Sequence, residues 1–345
     1  MLVLTTVGLM ACSDQPDRFR VFQLGDEGSY SLENRTIEGL DDASTLTGDV
    51  GQGWTGGTLK IDWDSGNWEY QDGRPLDILY TNSDGVARAM DRDGLVLYSF
   101  YAHVVDAVIA LEEAGIDPSP LFPVDIAVTP ALSDPSLAFM PAENAAYAPS
   151  ANTFILLDDL IEKDVPLAAN RGVVTHEFGH GTFHLLTTGG DVYGPGLSTD
   201  DDLAKSNHTR SLDEGFADML ACLVTDLPNS FEASLAVPER DVTGDHTAAA
   251  VAVLPEASEG LGYDPYPLGT VFASLVWDVR LATDDRLATL ELVLATTEEW
   301  GVSGDKLSYA WLDIAWELGD TDQRAAICAS AEVRFADVYV VEACP

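Results

Sequence analysis

The stretch Val173-Val174-Thr175-His176-Glu177-Phe178-Gly179-His180 decides how this chain is read, because it sets two imidazoles four residues apart on a segment with helical apolar spacing. On a helix, positions i and i+4 differ by about 40° of rotation and about 6 Å of rise. Both rings then share a face and can converge on one ion at about 2.0–2.1 Å. Glu177 falls beside that ion rather than on it. A carboxylate so placed can take a proton from water acidified by the cation and return it to a leaving group. Two histidines satisfied in a helical core would give the same string, so the third ligand decides.

A catalytic metal site needs a third protein ligand and an open fourth position. His184 is nearest, but two turns separate it from His176. That is a rise of about 12 Å, whereas nitrogens on one ion lie within about 4 Å of each other. Another common pattern puts a third His six residues after the second and a Gly three after; those positions hold Leu186 and Phe183. A carboxylate from a second helix remains. The segment Ser211-Leu212-Asp213-Glu214-Gly215-Phe216-Ala217-Asp218 supplies Glu214, 34 residues after His180. Asp218 lies one turn further along the same face, placed to accept the free N–H of a ligand imidazole, which we expect to be that of His176. Carboxylates at this spacing repel each other, and a bound cation would offset the repulsion.

The His-Glu-x-x-His string followed by Glu-Gly-Phe-Ala-Asp on a later helix resembles the gluzincin metallopeptidases, in particular the thermolysin and fungalysin groups. The resemblance covers about residues 94–318. It implies a zincin-like α+β fold, Zn2+ on His176, His180 and Glu214, Glu177 as general base, and a peptide or protein substrate. Gly94 to Asp117 is similar to the long helix that precedes the substrate edge strand in that family, and Asn144-Ala145-Ala146-Tyr147 looks like the strand itself. By the same resemblance, Asn144 and the Ala145 backbone would hold the peptide, as strand addition favours. Tyr266-Pro267-Leu268-Gly269-Thr270-Val271-Phe272-Ala273-Ser274 is similar to a fungalysin segment His-x-x-Gly-Thr-Val-Trp-Ala-Ser, with Tyr266 in place of the family's His. That residue would donate to the oxyanion of the tetrahedral intermediate, and a phenol is also a donor. The substitution leaves an alternative open, a zinc-stabilised surface binding protein with little or no turnover.

Composition agrees with an extracellular setting. Asp and Glu number 58 against 17 Lys and Arg, a formal net charge of −41 spread along all 345 residues, which excludes nucleic acid as a partner and keeps a protein hydrated at high ionic strength. Met1 to Ala11 is a short apolar stretch ending at Cys12, and Leu9-Met10-Ala11-Cys12 resembles a bacterial lipobox. The expectation is an exported protein, a cell-envelope lipoprotein anchored through a lipid on Cys12 or a secreted one. Gly94 to Gly115 comes nearest to a membrane span but carries charges. Export permits a disulfide, for which Cys328 and Cys344 are the expected pair, while Cys222 sits in an apolar run as a small buried residue.

The chain divides into a leader and linker (1–18), a β-rich part (19–93), a lobe with the His-Glu-x-x-His helix (94–210) and a mainly helical lobe (211–345). Alternating patterns predict strands at Thr58 to Trp63 and Pro75 to Tyr80, and a hairpin or sheet edge from Asn144–Tyr147 and Asn152–Leu157. Helical periodicity marks Leu95–Glu113, Ala168–Leu186, Ser211–Thr225, Leu268–Leu281, Leu287–Glu298 and Leu307–Leu318. Thr188 to Asn207 reads as an acidic loop. Its stretch from Asp191 to Asp202, with Asp241-Val242-Thr243-Gly244-Asp245, makes Ca2+ a further candidate cofactor.

Overall fold

A computed structural model describes residues 16–25, 28–62, 67–132, 145–157, 165–188, 200–257, 263–303 and 307–345. Strands dominate as far as residue 89: β1 (Arg18–Leu24), β2 (Tyr30–Arg35), β3 (Leu40–Asp42), β4 (Thr47–Gly48), β5 (Gly51–Thr55), β6 (Thr58–Asp62), β7 (Asn67–Gln71), β8 (Arg74–Pro75), β9 (Tyr80–Ser83) and β10 (Val86–Ala89). Helix α1 (Arg92–Glu113) follows, then β11 (Val124–Val128), β12 (Ala131–Leu132), β13 (Ala145–Ala148) and β14 (Thr153–Leu156). The remainder is helical: α2 (Arg171–Thr188), α3 (Asp200–Thr225), α4 (Tyr266–Thr283), α5 (Arg286–Ser303), α6 (Ala310–Leu318) and α7 (Thr321–Arg334). The class is mixed α+β.

The sheet that matters for the site runs β13-β14-β11-β5-β4-β3 with β8 paired to β5; β11 is parallel to both β5 and β14, and β13 closes it antiparallel as an edge. A second sheet is ordered β2-β1-β10-β9, and a small third one β12-β6-β7. β13 and β14 are the expected hairpin, joined by a short 3-10 turn at Pro149–Ala151 with Asn152 in the left-handed region. One apolar core runs from Phe19 in β1 to Val341 beyond α7, with α1 inside it. α1 is long and apolar enough to cross a membrane, yet its apolar face, including Leu97, Phe100, Tyr101 and Val104, is buried against the rest of the protein. Asp91 starts it by accepting from Gly94 N–H at 2.8 Å.

Three sequence expectations need correction. Pro75 to Tyr80 is not one strand: Leu76 N–H bonds Gly53 and Ile78 N–H bonds Ser44, so its alternating apolar side chains are buried without a ladder partner. α3 begins at Asp200, inside the predicted loop, and its third turn, at Asn207 and His208, is buried through polar residues that no apolar period announces. His208, fully buried, joins Ser308 Oγ at 2.9 Å to Glu256 Oε1 at 3.0 Å. α2 begins at Arg171, after a 3-10 turn at Leu167–Ala169. The disulfide Cys328–Cys344 is present and ties α7 to the C-terminal segment, and Cys222 is a buried thiol. The leader with Cys12 lies outside the described residues.

α1 and α2 are joined by charge as well as by packing. Asp106 on α1 accepts from Arg35 at 2.9 and 2.6 Å, with Arg171, the first residue of α2, at 3.5 Å and His103 Nδ1 at 3.5 Å. Burial alone would raise the Asp106 carboxyl, but His103 and the two guanidinium groups hold it well below the ordinary carboxylate range. A carboxyl depressed from 3.8 contributes stability that is complete above that value and lost as pH falls through the folded one. Asp106→Asn is therefore expected to cost about 3 kcal/mol near neutral pH, with the gap to wild type closing below about pH 4. Denaturant unfolding across a pH series measures both.

Candidate metal centre

Local chemistry fixes where α2 starts and hence which way its histidines face. Asn170 Oδ1 caps it by accepting from Gly172 N–H at 2.8 Å and Val173 N–H at 3.4 Å. The Tyr30 hydroxyl donates to the same oxygen at 3.1 Å and accepts from Arg171 N–H at 2.8 Å. α3 then crosses α2 at Gly179, where a Cβ would lie only 2.8 Å from the Ala217 Cα. α4 meets α3 at a second glycine contact: a Cβ on Gly215 would lie 2.7 Å from the Gly269 carbonyl oxygen. The first crossing sets Glu214 against the histidines. The second brings Tyr266, at the start of α4, beside Glu214.

Three donor atoms converge. Glu214 Oε2 lies 3.5 Å from His176 Nε2 and 3.8 Å from His180 Nε2, and one ligand atom from each of the three residues falls within 4.8 Å of the others. Donors on a tetrahedral ion with bonds of about 2.0–2.1 Å are about 3.4 Å apart, so the group can hold one metal ion. Glu214 Oε2 is buried and makes no hydrogen bond, a state that a bound cation would relieve.

Both imidazoles are oriented from behind. His176 Nδ1 lies 3.0 Å from Asp218 Oδ1, as expected, and His180 Nδ1 lies 2.8 Å from Asp213 Oδ1. Both Nε2 atoms face Glu214, and a carboxylate at each Nδ1 favours the tautomer that would leave Nε2 free for a metal in place of its proton. Asp213 went unnoticed in the sequence, although it directly precedes Glu214. Arg240 was missed as well: it ends a short 3-10 turn at Pro238–Arg240 that has no periodic signal. Its Nε donates to Asp218 Oδ2 at 3.2 Å and its NH2 group to Asp218 Oδ1. The guanidinium is sandwiched between aromatic rings, 4.6 Å from the Phe231 centroid and 4.7 Å from that of Tyr266.

The charges favour a cation, since among the described residues Glu177, Asp213, Glu214 and Asp218 face one permanent positive charge, Arg240. Burial opposes charge on His180, but Asp213 and Glu214 outweigh it and lift the imidazole to about 10. His176 is raised too: burial and Arg240 oppose this, and Asp218 and Glu214 prevail. Burial holds the Glu177 carboxyl above its ordinary range. The charge of Glu214, and then burial, push the Tyr266 phenol upward, so it remains a hydrogen-bond donor at any working pH.

His176, Glu177, His180, Glu214, Ala145 and Tyr266 all line one cleft of about 450 Å³. Tyr147 N–H donates to Glu177 Oε2 at 3.0 Å and so points away from β14. Ala145, two residues earlier, directs its N–H and C=O to the same outer side. Trp68 of β7 also reaches this cleft, a place for the β-rich part that no motif in it announces. His184 lines it too but stands outside the ligand group, its Nε2 3.9 Å from Asp213 Oδ2. Asn144 and residues 191–199 lie outside the described residues. The Asp241–Asp245 loop forms no metal-ligating group among them, for Asp241 Oδ1 instead accepts from Thr243 N–H at 3.0 Å and Thr243 Oγ1 at 2.7 Å. No protein-family description and no curated protein matches the chain.

Proposed function

We propose that the chain is a zinc-dependent peptidase of the gluzincin type. The observation that carries this is the convergence of His176, His180 and Glu214 within 4.8 Å, with Glu177 in the same cleft beside the outer edge of β13. A two-histidine, one-carboxylate set with an open side matches catalytic zinc. When bound, zinc would supply Lewis acidity toward the scissile carbonyl and toward water.

The remaining work belongs to the chain's own groups. The outward N–H and C=O of Ala145 pair with an extended peptide, adding it to β13 as a further strand and fixing its direction across the cleft. Glu177, raised by burial and steadied by the Tyr147 N–H, takes the proton from water and passes it to the leaving amine. Tyr266, held protonated, donates to the developing oxyanion. Asp218 and Asp213 keep the two imidazoles in the tautomer that presents Nε2.

Purified protein is expected to contain about one zinc per chain and to cleave an unstructured protein such as casein, with chelation abolishing cleavage and zinc restoring it. Protein that refuses zinc, or holds it and cleaves no unfolded polypeptide, would sink this reading. The second of those results would favour the surface-binding alternative that Tyr266 raises.

A further inference from the structure

A second cavity, of about 400 Å³, shares Tyr266 and Arg240 with the metal cleft. It is within the size range of ligand pockets. Val237, Ala250, Val251, Pro267 and Val271 give it apolar walls, while Glu239, Asp245 and Asp264 stand exposed around it. Arg240 adds no free cation here, because its guanidinium is paired with Asp218.

The walls are fixed rather than loose. Arg334 of α7 donates to the carbonyls of Gly244 and His246 at 3.2 and 3.1 Å while paired to Asp278 at 2.7 Å, which pins the loop that carries Asp245. His246 Nε2 adds a contact to the Asp241 carbonyl at 2.8 Å. Asp264 Oδ1 accepts from Tyr266 N–H at 3.2 Å at the start of α4. An apolar chamber with carboxylates around it complements a side chain with an aliphatic stem and a cationic end. A net charge of −41 also enriches cationic peptides near the surface.

We propose that this cavity is a specificity subsite for a Lys or Arg of the peptide substrate, near the bond that the metal cleft cuts. The assignment rests on the peptidase reading, and its test separates the two. Zinc-loaded full-length protein is assayed against matched peptides carrying Lys, norleucine or Glu at each position around the cleaved bond. At one position Lys should exceed norleucine in kcat/KM by about tenfold, as two or three exposed ion pairs would give, and the ratio should shrink with added salt. In the Glu239→Gln/Asp245→Asn double variant that ratio should fall below about threefold.

A ratio near one at every position, or one unchanged in the double variant, overturns the subsite while leaving the peptidase reading intact. If no peptide is cut, the peptidase reading falls, and fluorescence anisotropy with labelled Lys and norleucine peptides decides the cavity. Tighter binding of the Lys peptide, lost in the double variant, supports the basic-residue site; equal affinities overturn it.

Discussion

Replacing Glu177 with Gln is expected to leave zinc bound and to lower kcat by about 10²–10⁴, the range that a positioned general base supplies. Glutamine matches glutamate in shape, and its amide oxygen can still accept from Tyr147 N–H at the 3.0 Å seen for the carboxylate. Glu177 is not among the three converging ligands, so metal content should hold. Only the ability to carry a proton is removed. Metal analysis and steady-state kinetics on the same sample read the two effects apart. Tyr266→Phe is the companion variant, removing a donor and no base, with an expected loss of about 10²–10³ in kcat. Turnover within tenfold of wild type for Glu177→Gln would take that residue out of the proposed chemistry.

Gly179→Ala should do the reverse, striking the metal before the chemistry. The new Cβ would sit 2.8 Å from the Ala217 Cα and 3.1 Å from its Cβ, a contact with backbone that no rotamer change relieves. α2 and α3 would have to separate. His176 and His180 lie on one helix and Glu214 on the other, so the separation pulls the ligand set apart. Overpacking of this kind costs about 1–3 kcal/mol, and disturbed ligand orientation weakens metal binding by about 10- to 100-fold. Denaturant unfolding and a competitive metal titration measure the two quantities. Unchanged zinc affinity would show that the Gly179 crossing does not set the ligand geometry.

How much was legible follows from the range of each signal. The two histidines and Glu177 share one helical turn, and Glu214 and Asp218 share another, so spacing alone exposed them. The contact that brings these turns together lies at Gly179 against Ala217, and the one that adds Tyr266 lies at Gly215 against Gly269, a need that appears only once the two helices are packed. Arg240 was invisible because it enters from an irregular segment to neutralise an Asp on another element. Among its described side chains, α3 first becomes buried at the polar residues Asn207 and His208, where apolar periodicity carries no information. Leu76 and Ile78 alternate and are both buried, but buried alternation need not belong to a ladder.

The hydrogen bond from Tyr147 to Glu177 has a second consequence, for how copies of this chain behave toward one another. An uncovered sheet margin is a template on which another molecule can add a strand, and repeated addition builds insoluble fibres. Among the described residues β13 spans Ala145–Ala148, and the outward N–H of Tyr147 is taken by a carboxylate from its own chain. Within the strand, that leaves the outward groups of Ala145 and the Tyr147 carbonyl. Among the described residues that is a short run for strand addition, and a high negative charge keeps copies apart. The same bond that steadies a proton carrier thus guards the protein against polymerising through its own open edge.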